Sequence, residues 1–302
     1  MESNALKMRG MKMHSSFVLI SPVRNEEKYI KEAIESVISQ TVLPIKWVIV
    51  NDGSTDGTND VVKRYQKDHD FIDLIGIEHQ EQRSLVSRVK AVHVGMRHVE
   101  NLDFEFLGIL DADITLPNNY YETILDKFHK DPKLGIAGGL VLDEYDGKIH
   151  NPRASNLNHV AGGIQFFRKE CFQTVGPYAA PKWGGSDAIA ENYARMRGWQ
   201  VVCYPEMKVL HHRQTGIVGL NRFRVRFREG IADYTLGTHP LFFLVKSCRR
   251  IVWKPVIFST VLMLFGYIWA FLRRYKRDVS KELISFLRKE QINRMKSIFK
   301  GI

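Results

Sequence analysis

Phe106-Leu107-Gly108-Ile109-Leu110-Asp111-Ala112-Asp113 is a short apolar run that ends abruptly in two carboxylates one residue apart. Its length, its Ile, Leu and Phe content and the Pro117-Asn118 turn that follows are those of a buried strand. In open α/β sheets, ligands gather at the carboxyl ends of strands. Two acids placed there cost solvation and repel one another unless a cation joins them. Hard oxygen ligands suit Mg²⁺ or Mn²⁺, and Mg²⁺ is commonly held by one or two carboxylates plus substrate phosphates. Taken alone, the pair has a second reading as a solvated cap on a helix starting near Pro117. The flanking chain separates the two.

Toward the N-terminus, Ser16 to Ser21 reads as a strand, Pro22 to Glu27 as a polar turn, and residues 27–39 as a helix. Trp47-Val48-Ile49-Val50 is a second strand running into Asn51-Asp52-Gly53-Ser54-Thr55-Asp56-Gly57-Thr58. That loop is rich in small residues and opens a helix over about 58–68. A strand end, a glycine-bearing loop and a helix N-terminus favour a phosphate or nucleotide. As an ordinary turn, the same Asp, Ser and Thr residues would serve as caps. A third strand at 72–77, a helix at 84–99 and the strand at 104–110 complete an alternation that implies a parallel sheet with right-handed crossovers.

Toward the C-terminus, a helix is expected over about 117–130, a strand near 134–142, a polar surface loop to Val160 and a strand at Ala161–Phe167. Lys182-Trp183-Gly184-Gly185-Ser186-Asp187 leads a helix closed by Gly198. A late strand at Val201–Pro205 precedes Val209-Leu210-His211-His212-Arg213. Arg222, Arg224, Arg226 and Arg228 would share one face of a strand, although their flanks read as helix.

The formal charge of +11 is unevenly placed. Residues 241–302 hold 14 Lys or Arg and 3 Asp or Glu, which is the whole excess. Residues 1–240 balance at 30 of each sign, so no nucleic-acid partner is expected for the core. Cys171, Cys203 and Cys248 lie far apart, without zinc or disulfide spacing, as in a reducing compartment. Met1 to Ser16 has no apolar run of the secretory kind.

The combination FVLISPVRNEEKYI, VIVNDGSTDGT and LGILDAD, in that order and spacing, resembles the family 2 glycosyltransferases of the GT-A fold over roughly residues 15–215. The resemblance implies that Pro22, Arg24 and Glu26 line a nucleotide pocket. It implies that Asp52 hydrogen-bonds the base, usually uracil, with Ser54 beside it. Asp111 then contacts sugar or ribose, with Ala112 and Gly185 also lining the donor, and Asp113 ligates the metal. His211 or His212 is the further metal ligand, with His211 preferred. Asp187 is the base, with Ser186 where the family places Glu. His93 replaces the usual Asn of the helix at 84–99, from which Arg88 or Lys90 could reach the diphosphate.

The expected fold is therefore α/β, a GT-A domain at 16–240 with a Rossmann-like, mostly parallel sheet, after a flexible 1–15. Residues 241–302 are expected to be membrane-associated helices. Pro255 to Leu272 is an uncharged run of 18 residues flanked by basic ones, about the minimum for a span. A single span would export a basic tail, so a re-entrant or interfacial hairpin at the cytoplasmic face of the cell membrane is favoured. Leu283, Ile284, Leu287, Ile292, Met295, Ile298 and Phe299 form a helical apolar stripe suited to an anionic leaflet, or else to packing on protein. The expected activity is inverting transfer from a nucleotide-sugar, a UDP-sugar first, to a saccharide or lipid-linked acceptor in surface polysaccharide assembly, with Mg²⁺ or Mn²⁺. A polyprenyl-phosphate hexosyltransferase, a non-catalytic membrane-surface scaffold and a homo-oligomer remain open.

Overall fold

Three βα units build one half of the sheet. In the computed structural model, which describes residues 16–77, 85–151, 157–213, 222–249 and 258–300, β1 (Phe17–Val23) precedes α1 (Ile30–Ile38) and β2 (Lys46–Asn51) precedes α2 (Thr58–Gln66). β3 (Ile72–Gly76) precedes α3 (Leu85–Val99), and β4 (Phe106–Ile109) follows. β1 pairs in parallel with β2 and β4, and β2 with β3. β4 is buried along its length, and β1 at every residue but Pro22. Helices cover both faces of such strands, which is why they read as continuous apolar runs. Pro22 and Val23, expected in a turn, extend β1 instead.

The other half reverses direction. It holds β5 (Ile114–Thr115), α4 (Tyr120–Lys130), β6 (Leu134–Tyr145), β7 (Lys148–His150), β8 (Phe166–Arg168), α5 (Lys169–Val175), α6 (Ser186–Met196) and β9 (Gln200–His211). The sheet order is β3-β2-β1-β4-β8-β6-β9-β5, with β7 hairpinned onto β6. β8 runs antiparallel to β4 and β6, β5 antiparallel to β9, and β6 parallel to β9. The sheet is thus mixed, not mostly parallel. Its reversal follows from the stretch expected as a strand at 161–167. Gly162 and Gly163 are poor strand formers, and the chain there makes a 3₁₀ turn (Gly162–Ile164) before the three residues of β8. The expected surface loop after 142 is in part the β6–β7 hairpin; residues 152–156 of it lie outside the described residues.

One bulge matters for the site. Gly139 of β6 is paired with Tyr204 of β9, but the next residue, Leu140, is paired with Lys208. Pro205, Glu206 and Met207 are looped out, and a Cβ on Gly139 would fall 2.0 Å from the Met207 carbonyl oxygen. From there the register sets His211 opposite Asp143.

The C-terminal helices are α7 (Arg222–Thr235), α8 (Pro240–Arg249), α9 (Phe258–Leu272) and α10 (Lys281–Lys300). α7, α8 and α9 share a cluster of Ile231, Tyr234, Phe243, Met263, Tyr267 and Ala270. Because α7 contributes to it, this packing begins ahead of residue 241. α7 and α9 cross backbone to backbone: a Cβ on Gly230 would lie 2.0 Å from the Met263 carbonyl oxygen, and one on Gly266 2.1 Å from that of Phe227. Alternate positions of a helix diverge, so Arg224, Arg226 and Arg228 of α7 do not share one face, and Arg226 pairs with Glu229 at 2.9 Å.

One expectation for the tail changes. The stripe of α10 faces protein: Leu283, Leu287 and Met295 are buried. The side chains of Ile298 and Phe299 lie outside the described residues. Gln291 on the same helix accepts from the His239 N–H at 2.8 Å, and Arg288 donates to the Gly237 carbonyl at 3.1 Å. No helix among the described residues is long and apolar enough to cross a membrane. α9 has 15 residues, about 22 Å against the ~30 Å of a hydrocarbon core. Residues 255–257 of the uncharged run lie outside the described residues.

Candidate active site

Two loops at the carboxyl ends of β1 and β2 are stitched together. Asn25, in the left-handed region at φ 54°, donates its N–H to Ser54 Oγ at 3.0 Å and accepts from the Thr55 N–H at 2.8 Å. The Glu26 N–H donates to Thr58 Oγ1 at 2.9 Å. Buried Asp52 donates its N–H to the Val23 carbonyl at 2.9 Å, and Arg24 Nη1 lies 3.8 Å from its carboxylate. Arg24, Glu26, Asp52 and Ser54 therefore share one rim, while Pro22 stays within the sheet opposite Val50.

β4 delivers Asp111, buried Ala112 and Asp113 to this rim, and the two carboxylates diverge. Asp111 accepts from Arg88 Nη2 at 2.7 Å and Nε at 3.2 Å. Arg88 Nη2 also donates to the Gly162 carbonyl at 3.1 Å. Burial works against the Arg88 charge, but Asp111, then Tyr178 and Asp187, outweigh it and hold its pKa above the ordinary value. Arg88, one of two basic residues on α3 that could reach a diphosphate, is paired here with Asp111.

Asp113 turns to His211. Strand register places His211 between Ile114 of β5 and Asp143 of β6. His211 Nε2 lies 3.0 Å from Asp113 Oδ2, and Nδ1 lies 2.8 Å from Asp143 Oδ1. His212 turns away, with Nδ1 at 3.0 Å from Glu144, Nε2 at 3.1 Å from Thr115 and its ring stacked on Tyr29. Of the two histidines, His211 is the one that faces Asp113. Burial raises the Asp113 pKa, but the His211 hydrogen bond and the charges of His211 and Arg213 bring it down to about 2. Burial likewise opposes protonation of His211, yet Asp113 and Asp143 lift its pKa to about 9.

This pair fits a hard divalent cation. A carboxylate behind the far ring nitrogen is the usual partner of a metal-ligating histidine. The 3.0 Å between Nε2 and Oδ2 is what adjacent ligands leave around an octahedral cation at about 2.0–2.1 Å. Among the described residues no group of three or more His, Cys, Asp or Glu gathers in ligand geometry. The remaining oxygens would have to come from elsewhere, as phosphates do for Mg²⁺.

Arg213 joins the site unforeseen. Its Nη2 donates to both Glu26 oxygens at 2.7 Å, and its Nε donates to Asp113 Oδ2. It ties the loop after β1 to the end of β4. Burial lowers its pKa, and Asp113 and Glu26 raise it further than burial lowers it. The available signal was a cation placed directly after two histidines at the end of the last long strand.

Asp187 occupies the first turn of α6, reached through Gly184 and Gly185 at φ 97° and 98°, a left-handed pair that no side chain could follow without strain. Its Oδ1 accepts from the Ala188 N–H at 2.8 Å. Its Oδ2 lies 3.9 Å from His159 Nε2. Behind it, buried Glu191 accepts from the Val160 N–H at 2.7 Å and meets His159 Nδ1 at 3.0 Å. The Asp187 side chain stays 25% exposed, so one side is open to a ligand. His159 and Glu191 were not singled out in the sequence; they meet Asp187 only through the fold. His93 hydrogen-bonds the Tyr178 carbonyl at 2.8 Å, a structural contact.

A mixed sheet carrying acids at the ends of β1, β2 and β4, with a further acid on α6, is the frame of an α/β sugar-transferring enzyme. The model of the glycosyl transferase family 2 matches residues 18–183, and the chain belongs to that family. It is 28% identical over 141 residues to the poly-beta-1,6-N-acetyl-D-glucosamine synthase of Staphylococcus epidermidis, over 47% of this chain and 29% of that one. The synthase of Staphylococcus aureus (strain COL) is 22% identical over 271 residues, over 82% of this chain and 61% of that one. The chain thus spans less than two thirds of the length of these relatives. In fold it is similar to S. aureus TarS (TM-score 0.55, 15% identity, 79% of this chain and 44% of that one). It is also similar to the mannosyltransferase PcManGT from Pyrobaculum calidifontis, solved with GDP-Man and Mn²⁺ (TM-score 0.55, 16% identity, 94% and 84%).

Proposed function

We propose that the chain is an inverting hexosyltransferase that uses a UDP-sugar and extends a saccharide or lipid-linked saccharide in surface polysaccharide assembly. The observation that carries this reading is the convergence of the Asp113–His211–Asp143 row with the Arg24–Asp52 rim at the carboxyl ends of the strands. The named product of the curated relatives supports a polysaccharide. A TarS structure with UDP supports the nucleotide, and PcManGT with GDP-Man and Mn²⁺ supports a sugar nucleotide with a divalent cation.

In this reading Asp52 and Arg24 hold the base, with Ser54 beside them and Pro22 at the strand end that leads into the rim. Asp111, positioned by Arg88, holds the sugar or ribose, with Ala112 and Gly185 lining the donor. Asp113 and His211 would hold Mg²⁺ or Mn²⁺, with Asp143 orienting His211, and such a cation would supply positive charge toward the leaving diphosphate. Asp187 takes the proton of the acceptor hydroxyl. That oxygen bonds to the anomeric carbon while the bond from carbon to diphosphate oxygen breaks and its electron pair leaves with the diphosphate. One displacement inverts the centre.

Asp187→Asn tests this. Asn keeps the shape and cannot accept the proton. UDP binding with Mn²⁺, read by calorimetry, should be little changed, while transfer falls by about 10²–10⁴, the usual worth of general-base catalysis. Turnover within about tenfold of the parent, ~1.4 kcal/mol of barrier, would remove Asp187 from the role. Lack of any nucleotide binding by the parent chain would sink the donor reading.

A further inference from the structure

α9 is built inside out. Its buried side carries Ser259, Thr260, Gly266 and Tyr267 beside Met263 and Ala270. Thr260 donates to the Ser247 carbonyl at 3.0 Å, and the Tyr267 hydroxyl to the Thr238 carbonyl at 2.8 Å. Its outward side carries Phe258, Val261, Phe265, Ile268 and Leu272, which are 63, 54, 54, 50 and 69% exposed. These positions step by three and four, so they form one continuous stripe along the helix. A helix bathed in water on that side would keep its larger apolar residues inward. Exposed apolar stripes of this kind mark an interaction surface.

The charge at its end says what covers it. Arg273, Arg274 and Lys276 follow directly and are exposed. The Arg273 guanidinium lies over the Trp269 ring at 4.7 Å, an aromatic-cation pair of the sort found at the headgroup level. Asp278 is the first acidic residue beyond them. A second copy of this chain would bring the same basic segment and no anionic complement. An anionic leaflet supplies both an apolar layer and negative headgroups.

We infer that the outer face of α9 seats the protein on an anionic lipid surface, with the helix lying in the interfacial plane. The described residues of α9 are too few to cross the hydrocarbon, and in this reading both its ends lie on one side. Both the uncharged run that contains α9 and the stripe of α10 were expected at the membrane; the α10 stripe is consumed by packing, and the exposed face of α9 supports that run as the seat. The inference is independent of the sugar-transfer reading, since it needs no substrate. The face is nonetheless tied to the Asp187 loop, because Trp183 stacks on Tyr275, three residues past α9, at 5.9 Å between ring centres.

The test is co-sedimentation of the full chain with vesicles of phosphatidylcholine alone and of phosphatidylcholine with phosphatidylglycerol. Two variants are compared, Val261→Glu/Phe265→Glu and Arg273→Gln/Arg274→Gln/Lys276→Gln. The altered side chains are exposed, so melting temperature and UDP binding should match the parent and serve as folding controls. The parent should bind the anionic vesicles and bind the neutral ones more weakly. The acidic pair should lose binding to both by at least about tenfold. The basic triple should lose binding to anionic vesicles only, by about a hundredfold at low salt. Absence of vesicle binding by the parent overturns the inference, as does equal binding by the acidic pair. So does a parent dimer, seen by sedimentation velocity, that Val261→Glu/Phe265→Glu dissolves without any change in lipid binding.

Discussion

At the scale of single residues, Arg213 is the side chain with the most to lose. It serves two carboxylates, Glu26 and Asp113, that follow the neighbouring strands β1 and β4. Arg213→Met leaves both buried acids facing one another without their cation. Removing one partner of a buried ionic cluster costs about 3–5 kcal/mol; with the arginine side chain 21% exposed, about 2–3 kcal/mol is expected here. A divalent ion should restore part of that, because it brings positive charge to Asp113. The measurement is the melting temperature with chelator and with Mn²⁺: the variant should melt lower in chelator and gain more from Mn²⁺ than the parent. An unchanged melting temperature in chelator would show that the bridge carries no stability. Asp113, the His211-His212 pair, Asp187 and Arg88 were singled out in the sequence, their roles being what the family resemblance implies. The contacts of Arg88 with Asp111 and of Arg213 with Glu26 and Asp113 were not legible, because each partner lies far along the chain and periodicity carries no record of it.

At the scale of elements, the β6–β9 bulge sets the position of the histidine. Three looped-out residues on β9 shift the register that then pairs His211 with Asp143. Gly139→Ala presses a methyl into the Met207 carbonyl, and overpacking of this kind costs about 1–3 kcal/mol. If the bulge yields, His211 leaves its place between Asp113 and Asp143, so Mn²⁺-dependent UDP binding should weaken along with stability. A variant that loses stability yet binds UDP and Mn²⁺ as the parent does would show that the bulge and the site are uncoupled. The parallel strands were readable because each is an apolar run bounded by turns. The reversal at β8 was not, since a strand of three residues has no period to detect, and the bulge hid inside an ordinary stretch around Pro205.

At the scale of the molecule, the C-terminal helices are part of the fold rather than an appendage. α10 ties back through Arg288 to Gly237 and through Glu290, 3.6 Å from Arg195 of α6. A Cβ on Gly185 would meet Leu236 at 2.9 Å, so the end of α7 lies directly behind the loop that carries Asp187. Deleting 241–302 uncovers Ile231 and Tyr234 and removes the ring against which Trp183 stacks. The shortened chain should therefore aggregate, or melt well below the parent, in a soluble-yield and thermal-unfolding comparison. A shortened chain as soluble and as stable as the parent would make the tail a separable module. Sequence periodicity announced two amphipathic or apolar helices here. It could not announce which side of each is buried, because a stripe looks the same whether it faces protein or lipid, and that choice belongs to the packing.

The crossing of α7 and α9 works as a hinge pin. Neither Gly230 nor Gly266 can gain even a methyl group without parting the two backbones. Parting them would displace the apolar stripe of α9 from its seat beside the catalytic half. The direction in which that stripe points is therefore set by two hydrogen atoms, one on each helix, and not by the stripe itself.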